Sequence, residues 1–120
     1  MSRSWLLYLD DLIGSAEKIG RLVARHGFDS FHADEAAFDA VLFNLQVIGE
    51  AVKRLPEDVR DAMPEAVYGP PRMRDLIAHR YFALDPEIIW EVATIRVPRL
   101  LEQARSVRGT AEDGDADASK

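Results

Sequence analysis

Apolar residues that recur at alternating spacings of four and three positions are the feature that most restricts the fold of this chain. The first such repeat runs from Trp5 to Val23 and places its members on one face of a long helix. Ser4 is placed to cap this helix at its start, and Gly27 is predicted to follow its C-terminal end. Because no strand-like alternation occurs in the 120 residues, the sequence predicts an all-α protein.

A second long helix is predicted to follow a connector at residues 28–32. It begins around residues 33–35 and stops before Pro56. Its buried stripe is predicted to consist of Phe38, Leu42, Leu45, Ile48, Val52 and Leu55. Val41, Phe43 and Val47 extend the apolar surface beyond one face, which is typical of a central bundle helix or of a helix at a dimer interface.

The second half of the chain is predicted to add two more main helices. Residues 57–63 are typical of one or two helical turns, and a further helix extends from about residue 71 or 72 to Phe82. Asp85 followed by Pro86 predicts the start of a final long helix. Pro98 is expected to kink that helix, at a cost of about 3 kcal/mol unless packing compensates. The predicted fold is an up-and-down bundle of four main helices plus short helical turns.

Composition and charge indicate one helical domain, residues 1–108, followed by a disordered acidic tail, residues 109–120. The tail holds much of the net charge of −6, so the body is only mildly acidic and is compatible with a selective RNA or nucleotide site. The absence of cysteine excludes disulfides, thiolate nucleophiles and zinc–sulfur sites. The chain has neither an apolar run long enough for a membrane span nor a stretch typical of a signal peptide, so we expect a cytoplasmic protein.

The predicted helix that ends at Phe82 carries the spacing that indicates chemistry. Its polar residues are Arg72, Arg74, Asp75, His79, Arg80 and Tyr81. Asp75 and His79 are four residues apart, and their pairing would orient the imidazole and raise the pKa of His79. Arg74 and His79 are about 140° apart around the helix, at ~3.6 residues per turn. Two copies of the helix across a two-fold axis would present them to one target better than a single copy.

These residue types fit metal-independent cleavage of RNA. Attack of a ribose 2′-OH on the adjacent phosphate needs a base, an acid for the leaving 5′-oxygen and a cation for the phosphorane. Histidine suits the first two roles near neutral pH, and arginine suits the third. His26, His32 and His79 lie in unrelated contexts, so the sequence indicates neither a metal site nor a cofactor. The same residues are also compatible with purely structural roles, in which the arginines form a solvated face and His79 complements a helix end.

The motif Arg74-x4-His79-x-Tyr81 resembles the R-x4-H-x-Y motif of HepT-type toxins in the HEPN superfamily, once catalogued as a domain of unknown function. Residues 44–51 are similar to the second-helix block of that family, and residues 79–91 are similar to its junction with the last helix. The resemblance extends over about residues 5–107.

The resemblance implies a homodimeric all-α endoribonuclease that is the toxin of a toxin–antitoxin pair. By analogy, Arg74 and His79 carry cleavage at a composite site in the dimer cleft, and Asp75 supports them. Tyr81 would be the residue to which an MntA-type minimal nucleotidyltransferase antitoxin transfers AMP from ATP. Arg72 and Arg80 are candidates for phosphate contacts.

Two other hypotheses remain open from the sequence. The chain could be a non-catalytic helical subunit that binds a nucleotide or a nucleotidyltransferase, or a structural dimerisation bundle. In the first case His79→Ala would leave growth and RNA unaffected, and in the second Arg74→Ala and Tyr81→Phe would be tolerated without phenotype.

Overall fold

The computed structural model describes residues 4–66 and 85–118, with side chains as far as Ala111. Within these two ranges the chain forms helices and turns and no strand, so the predicted all-α bundle is confirmed. The elements are α1 (Trp5–Ala24), α2 (Phe28–Ala33), α3 (Glu35–Lys53), α4 (Glu57–Asp61), a 3₁₀ turn (Pro64–Ala66), α5 (Pro86–Glu91), a π-helical segment (Val92–Arg96) and α6 (Val97–Ala118). The helix predicted to end at Phe82 lies outside the described residues.

One hydrophobic core fills the space between the long helices. Helix α1 packs against both α3 and α6, and it is the element that holds the bundle together. The buried side chains of α1 are Leu9, Leu12, Ala16 and Ile19, while those of α3 include Val41, Leu42, Leu45, Ile48 and Val52. These are largely the stripes that the periodicity predicts, except that Trp5, Val23 and Phe38 are only partly buried and that Val41, predicted outside the stripe, is fully buried.

Two helix starts form as predicted. The Ser4 hydroxyl accepts a hydrogen bond from the Leu6 N–H at 3.3 Å, and Asp34 Oδ1 accepts one from the Ala37 N–H at 3.1 Å. Each bond satisfies a backbone donor that the first helical turn cannot pair internally.

The corner between α1 and α3 differs from the prediction. Helix α1 ends at Ala24 with Arg25 as its C-cap, and Gly27 is extended, with φ −90° and ψ 179°. Gly27 is therefore the N-cap of α2, and its predicted place as the C′ residue of α1 was wrong. The predicted connector at residues 28–32 is helical instead. Phe31 is fully buried and its ring contacts Phe38 and Trp90, which explains why this short segment adopts helical structure.

Pro98 is accommodated by the π-helical segment that directly precedes it. The Val97 N–H bonds to the Val92 carbonyl, one residue further back than in an α-helix. This wider turn makes room for the proline ring, which would otherwise clash with the carbonyl four residues earlier. The helix therefore continues from α5 through the π-helical segment into α6, and the kink at Pro98 stays a prediction.

Helix α6 continues beyond the predicted domain boundary. Val107 packs against the core, and Arg108 Nε donates to Asp10 Oδ1 at 2.9 Å. These contacts hold α6 against α1, and the backbone stays helical to Ala118, within the segment for which the sequence predicts disorder. The division of the chain at residue 108 stays a prediction. None of the helices in the described ranges combines the length and the apolar character that crossing a bilayer requires.

Candidate functional site

All six residues singled out by the motif belong to residues 67–84, outside the part of the chain that the structure describes. They are Arg72, Arg74, Asp75, His79, Arg80 and Tyr81. We call residues 67–84 the motif segment. The structure defines how the bundle holds the residues on either side of this segment, and it defines the surfaces of the described helices.

The N-terminal end of the motif segment is fixed by the 3₁₀ turn. Met63 and Ala66 are buried in the core, and the Glu65 N–H donates to Gln103 Oε1 on α6 at 3.0 Å. The chain therefore enters the motif segment from a point that is attached to α6 by both apolar packing and a hydrogen bond.

Charge reinforces this attachment. The Glu65 carboxylate is only 12% exposed, and both of its oxygens lie 3.4 Å from Arg96 Nη1. Arg99 Nη1 is 3.9 Å from the same carboxylate. Since the two arginines are substantially exposed, water screens these pairs and each contributes at most about 1 kcal/mol. Arg96 lies in the π-helical segment, so the wide turn that accommodates Pro98 also places a cation beside Glu65.

The C-terminal end of the motif segment is fixed by the start of α5. Asp85 Oδ1 accepts from the Glu87 N–H at 2.9 Å and Pro86 occupies the first turn, so the predicted helix start is confirmed. One turn later Ile89 is fully buried, and the Trp90 ring lies 5.1 Å from the ring of Phe31. This end of the segment is therefore attached to α2 by aromatic packing.

Replacing the Asp85 cap tests this attachment. Asp85→Ala removes the acceptor for the Glu87 N–H, so we expect the free energy of unfolding to fall by about 1 kcal/mol. Asp85→Asn should retain most of the stability, because asparagine is a comparable N-cap. Urea unfolding followed by circular dichroism measures both variants, and an Asp85→Ala variant as stable as wild type would show that the cap does not stabilise α5.

A cleft of about 390 Å³ lies between α1 and α3. It is lined by Tyr8, Asp11, Phe43, Gln46, Val47, Glu50, Ala51 and Arg54. Phe43 is 63% exposed, the highest value of any large hydrophobic residue in the described ranges. The Arg54 guanidinium carbon lies 6.0 Å from the centre of the Tyr8 ring, at the limit of a cation–π contact. An exposed aromatic ring beside an apolar cleft with charges of both signs is typical of a protein-binding surface.

The corner between α1 and α3 contains a polar network that sequence analysis did not predict. His26 Nδ1 is 3.0 Å from Ser30 Oγ, and His26 Nε2 is 3.6 Å from Asp34 Oδ2. Although the residue types match a hydrolytic triad, Ser30 also bonds to the backbone of Gly27, and Asp34 caps α3. The network therefore connects three helix ends, and we interpret it as structural.

A second feature that sequence analysis did not single out is a basic groove. Lys18 and Arg21 on α1 and Arg25, the C-cap of α1, line a cleft of about 270 Å³, together with Leu22, Ala40 and Asn44. Their spacing along the helix is the signal that could have revealed it, since residues three, four and seven apart share a face. No group of three or more histidine, aspartate or glutamate side chains suited to a metal ion occurs within residues 4–66 and 85–111.

The family model described as "Ribonuclease HepT-like" matches residues 12–107. The chain belongs to the HepT-like ribonuclease family. The matched range includes the motif segment and both of its attachment points, so the resemblance predicted from the R-x4-H-x-Y motif is confirmed. Membership assigns an RNase-type activity to the fold.

Individual relatives agree with the family assignment. "Putative RNase MJ0127" of Methanocaldococcus jannaschii is 34% identical over 109 residues, which cover 90% of either chain. "Probable ribonuclease HepT" of Thermococcus cleftensis is 32% identical over 109 residues, covering 90% of this chain and 99% of its own length. "Putative RNase TTE0752" of Caldanaerobacter subterraneus is 31% identical over 101 residues, covering 83% of this chain and 90% of its own. No solved structure matches the chain.

Proposed function

We propose that this HepT-like protein is a metal-independent endoribonuclease, the toxin of a toxin–antitoxin pair that acts in the cytoplasm. The observation that carries the proposal is the Arg74-x4-His79-x-Tyr81 motif, which lies inside the range matched by a ribonuclease family. The motif supplies the two side-chain types that phosphodiester cleavage needs and one hydroxyl that can be modified.

Cleavage is proposed to proceed through the ribose of the substrate. The 2′-oxygen attacks the adjacent phosphorus and loses its proton to a base, while the bond from phosphorus to the 5′-oxygen breaks and that oxygen receives a proton from an acid. The products are a 2′,3′-cyclic phosphate and a 5′-hydroxyl end. His79 is assigned the proton transfers and Arg74 the stabilisation of the phosphorane, with Asp75 orienting His79.

A homodimer is proposed because one chain supplies only one motif histidine, whereas cleavage needs a base and an acid. The α1–α3 cleft supports this proposal. Phe43 is exposed beside the cleft, and Asp11, Glu50 and Arg54 give the surface both signs of charge, as a self-complementary two-fold interface requires. We assign the second copy of this chain as the occupant of the cleft.

Phe43→Asp is expected to dissociate the dimer. A carboxylate at the centre of an apolar contact loses its hydration, so the dissociation constant should rise by at least a hundredfold, about 2.7 kcal/mol. Light scattering coupled to size exclusion gives the mass of each variant. Ile95→Asp is the matched control, because Ile95 is another exposed apolar residue, in the π-helical segment. A monomeric wild type, or a Phe43→Asp variant that dimerises like wild type, would contradict this interface.

Neutralisation is proposed to occur by transfer of AMP to Tyr81 from an MntA-type nucleotidyltransferase. The Tyr81 oxygen attacks the α-phosphorus of ATP, a new oxygen–phosphorus bond forms, pyrophosphate leaves and the phenolic proton is lost to a base. Each AMP adds a charged phosphodiester and a nucleoside two residues from His79, where they would compete with an RNA phosphate. A neighbouring reading frame with a Gly-Ser motif and an Asp-x-Asp pair would support the pairing.

The experiment that tests the whole proposal is induced expression of wild type, Arg74→Ala and His79→Ala, with and without that nucleotidyltransferase. Without the partner, we expect wild type to arrest growth and both variants to grow normally. With the partner, we expect wild type to grow normally as well. Equal growth of all three chains without the partner would overturn the toxin assignment.

A further inference from the structure

We propose that the basic groove of Lys18, Arg21 and Arg25 binds the phosphate backbone of the RNA substrate, as a second contact site separate from the motif segment. The inference rests on the proposed ribonuclease function, because it names the ligand as single-stranded RNA. It is carried by four observations, each within the described residues.

The first observation is the arrangement of charge. Lys18, Arg21 and Arg25 are all exposed, and all three line one cleft along α1. They are separated by three and four residues, so like charges are neighbours on the helix surface, which is unfavourable for an isolated helix. From Lys18 to Arg25 the helix rises about 10 Å, at ~1.5 Å per residue. That length matches about three nucleotide steps of a stacked strand, at roughly 3.4 Å per nucleotide.

The second observation is the absence of carboxylate partners. Arg96, Arg99, Arg105 and Arg108 each lie within 4.0 Å of an aspartate or glutamate. Lys18, Arg21 and Arg25 have no such partner in the ranges 4–66 and 85–111. In a protein with a net charge of −6, a group of three cations without internal anions is a concentrated positive surface.

The third observation is the composition of the groove floor. Ala40 is small, so the strand can approach α3 closely, and Asn44 is a polar residue at a position that is 94% buried, since only 6% is exposed. The Asn44 Nδ2 donates to the Ala40 carbonyl at 2.8 Å. Its second amide hydrogen and its carbonyl oxygen have no protein partner among the described residues, and they can bond to a phosphate oxygen or a ribose hydroxyl.

The fourth observation concerns the neighbouring surface. Arg21 also lines the adjoining cleft between α1 and α6, where Arg105 pairs with Glu17 at 3.0 Å. That ion pair neutralises Glu17, the residue that precedes Lys18 in the sequence. The groove volume of about 270 Å³ is ample for a phosphate and its bound water.

The test is equilibrium binding of a single-stranded 2′-O-methyl oligoribonucleotide of about twelve nucleotides, a typical site size. Methylation of the 2′-oxygen removes the nucleophile, so binding is measured without cleavage. Lys18→Ala/Arg25→Ala is compared with Lys53→Ala/Arg99→Ala, which removes one lysine and one arginine from other exposed positions. Alanine is the best helix former, and circular dichroism melting confirms that each variant is folded.

The groove variant is expected to bind at least tenfold more weakly than wild type at about 0.1 M salt. The slope of log K against log salt should fall by roughly 1.4, at about 0.7 per lost phosphate contact on a single strand. The control variant should keep the wild-type slope. With a cleavable RNA, the groove variant should raise KM and leave kcat unchanged, as expected for a contact made equally in the ground state and the transition state.

The outcomes separate the two proposals. If wild type cleaves RNA but both double variants bind alike, the groove assignment is wrong and the ribonuclease assignment stands. If wild type binds through the groove but cleaves nothing, the groove assignment stands and the ribonuclease mechanism is wrong. Absence of both binding and cleavage overturns both.

Discussion

Replacing His79 by alanine should lower the rate of RNA cleavage by roughly 10²- to 10⁴-fold, the usual contribution of a general acid or base. The reason is that the sequence offers a single motif histidine per chain, and without it neither the 2′-hydroxyl nor the leaving 5′-oxygen has a proton-transfer group near neutral pH. Purified wild type and variant are compared on one RNA under single-turnover conditions, and the 2′,3′-cyclic phosphate of the product is identified by mass spectrometry.

His32→Ala is the matched control for this measurement. His32 is exposed on α2 and its ring stacks on Phe28 at 6.0 Å, far in sequence from the motif segment. It should cleave at the wild-type rate. Equal rates for wild type and His79→Ala would contradict the role of His79, and a loss in both variants would point to a general effect of removing an imidazole.

Arg74 is expected to behave differently from His79 under conservative substitution. Arg74→Lys keeps the charge but loses the planar fork that can bind two phosphate oxygens, so it should recover only part of the activity lost in Arg74→Ala. A lysine variant with full activity would show that Arg74 provides charge alone. If wild type and both variants alike neither cleave RNA nor arrest growth, the chain is the non-catalytic subunit that the sequence also allows.

The long helices could be predicted from the sequence because local pattern and tertiary packing agree in them. In α1 the alternating spacing predicts the buried face from Leu9 to Ile19, and Ser4 caps the helix as expected. The same holds for the start of α3 at Asp34 and of α5 at Asp85. In each case a short polar side chain precedes a helix whose apolar face is buried, so the local and global preferences coincide.

The corner between α1 and α3 could not be predicted because its structure depends on distant contacts. Phe28 and Phe31 look like isolated apolar residues in a short connector, but both rings pack on Trp90, nearly sixty residues later in the chain. A helix of six residues is unstable alone and forms only because this packing holds it. Gly27 was assigned to the end of α1 because glycine is common there, whereas its backbone belongs to the start of α2.

Pro98 illustrates a different limit of sequence reasoning. Because proline has no backbone N–H, the sequence shows that Pro98 cannot make the usual helical hydrogen bond. It does not predict how the helix accommodates this loss. The structure does so by a wider turn from Val92 to Arg96, and this turn also brings Arg96 to Glu65 at the entrance to the motif segment. Whether a π-helical turn precedes a proline depends on the packing of the residues on both sides, and that packing is not encoded within a few residues of the proline.

The candidate site was predicted by resemblance and not by periodicity. Spacing alone left Arg74 and His79 equally compatible with a solvated helix face, and the family match over residues 12–107 is what favours chemistry. The basic groove was overlooked for the opposite reason. Lys18, Arg21 and Arg25 lie outside the apolar stripe, and a pattern of buried faces does not show which exposed charges lack partners.

Tyr81→Phe is expected to abolish neutralisation completely while preserving cleavage. Phenylalanine keeps the ring and removes the oxygen that would accept AMP, so co-expression with the nucleotidyltransferase should no longer rescue growth. Intact-mass analysis should show one or more AMP units on the wild type after co-expression and none on Tyr81→Phe. Tyr68→Phe is the matched control, because Tyr68 is a second tyrosine of the motif segment that lies outside the R-x4-H-x-Y motif, and it should be modified like wild type.

The two readouts together identify how the partner acts. If Tyr81→Phe carries no AMP and stays toxic beside the nucleotidyltransferase, then covalent modification is the cause of neutralisation and binding of the partner alone is not sufficient. If Tyr81→Phe carries no AMP but is still neutralised, the partner inhibits by occupying the site, and the role of Tyr81 is contradicted. A wild type without AMP after co-expression would contradict the modification itself. The added AMP is charged and bulky and lies two residues from His79 in the sequence, so it is expected to block the RNA phosphate. A modified wild type that still cleaves RNA at full rate would contradict this expectation.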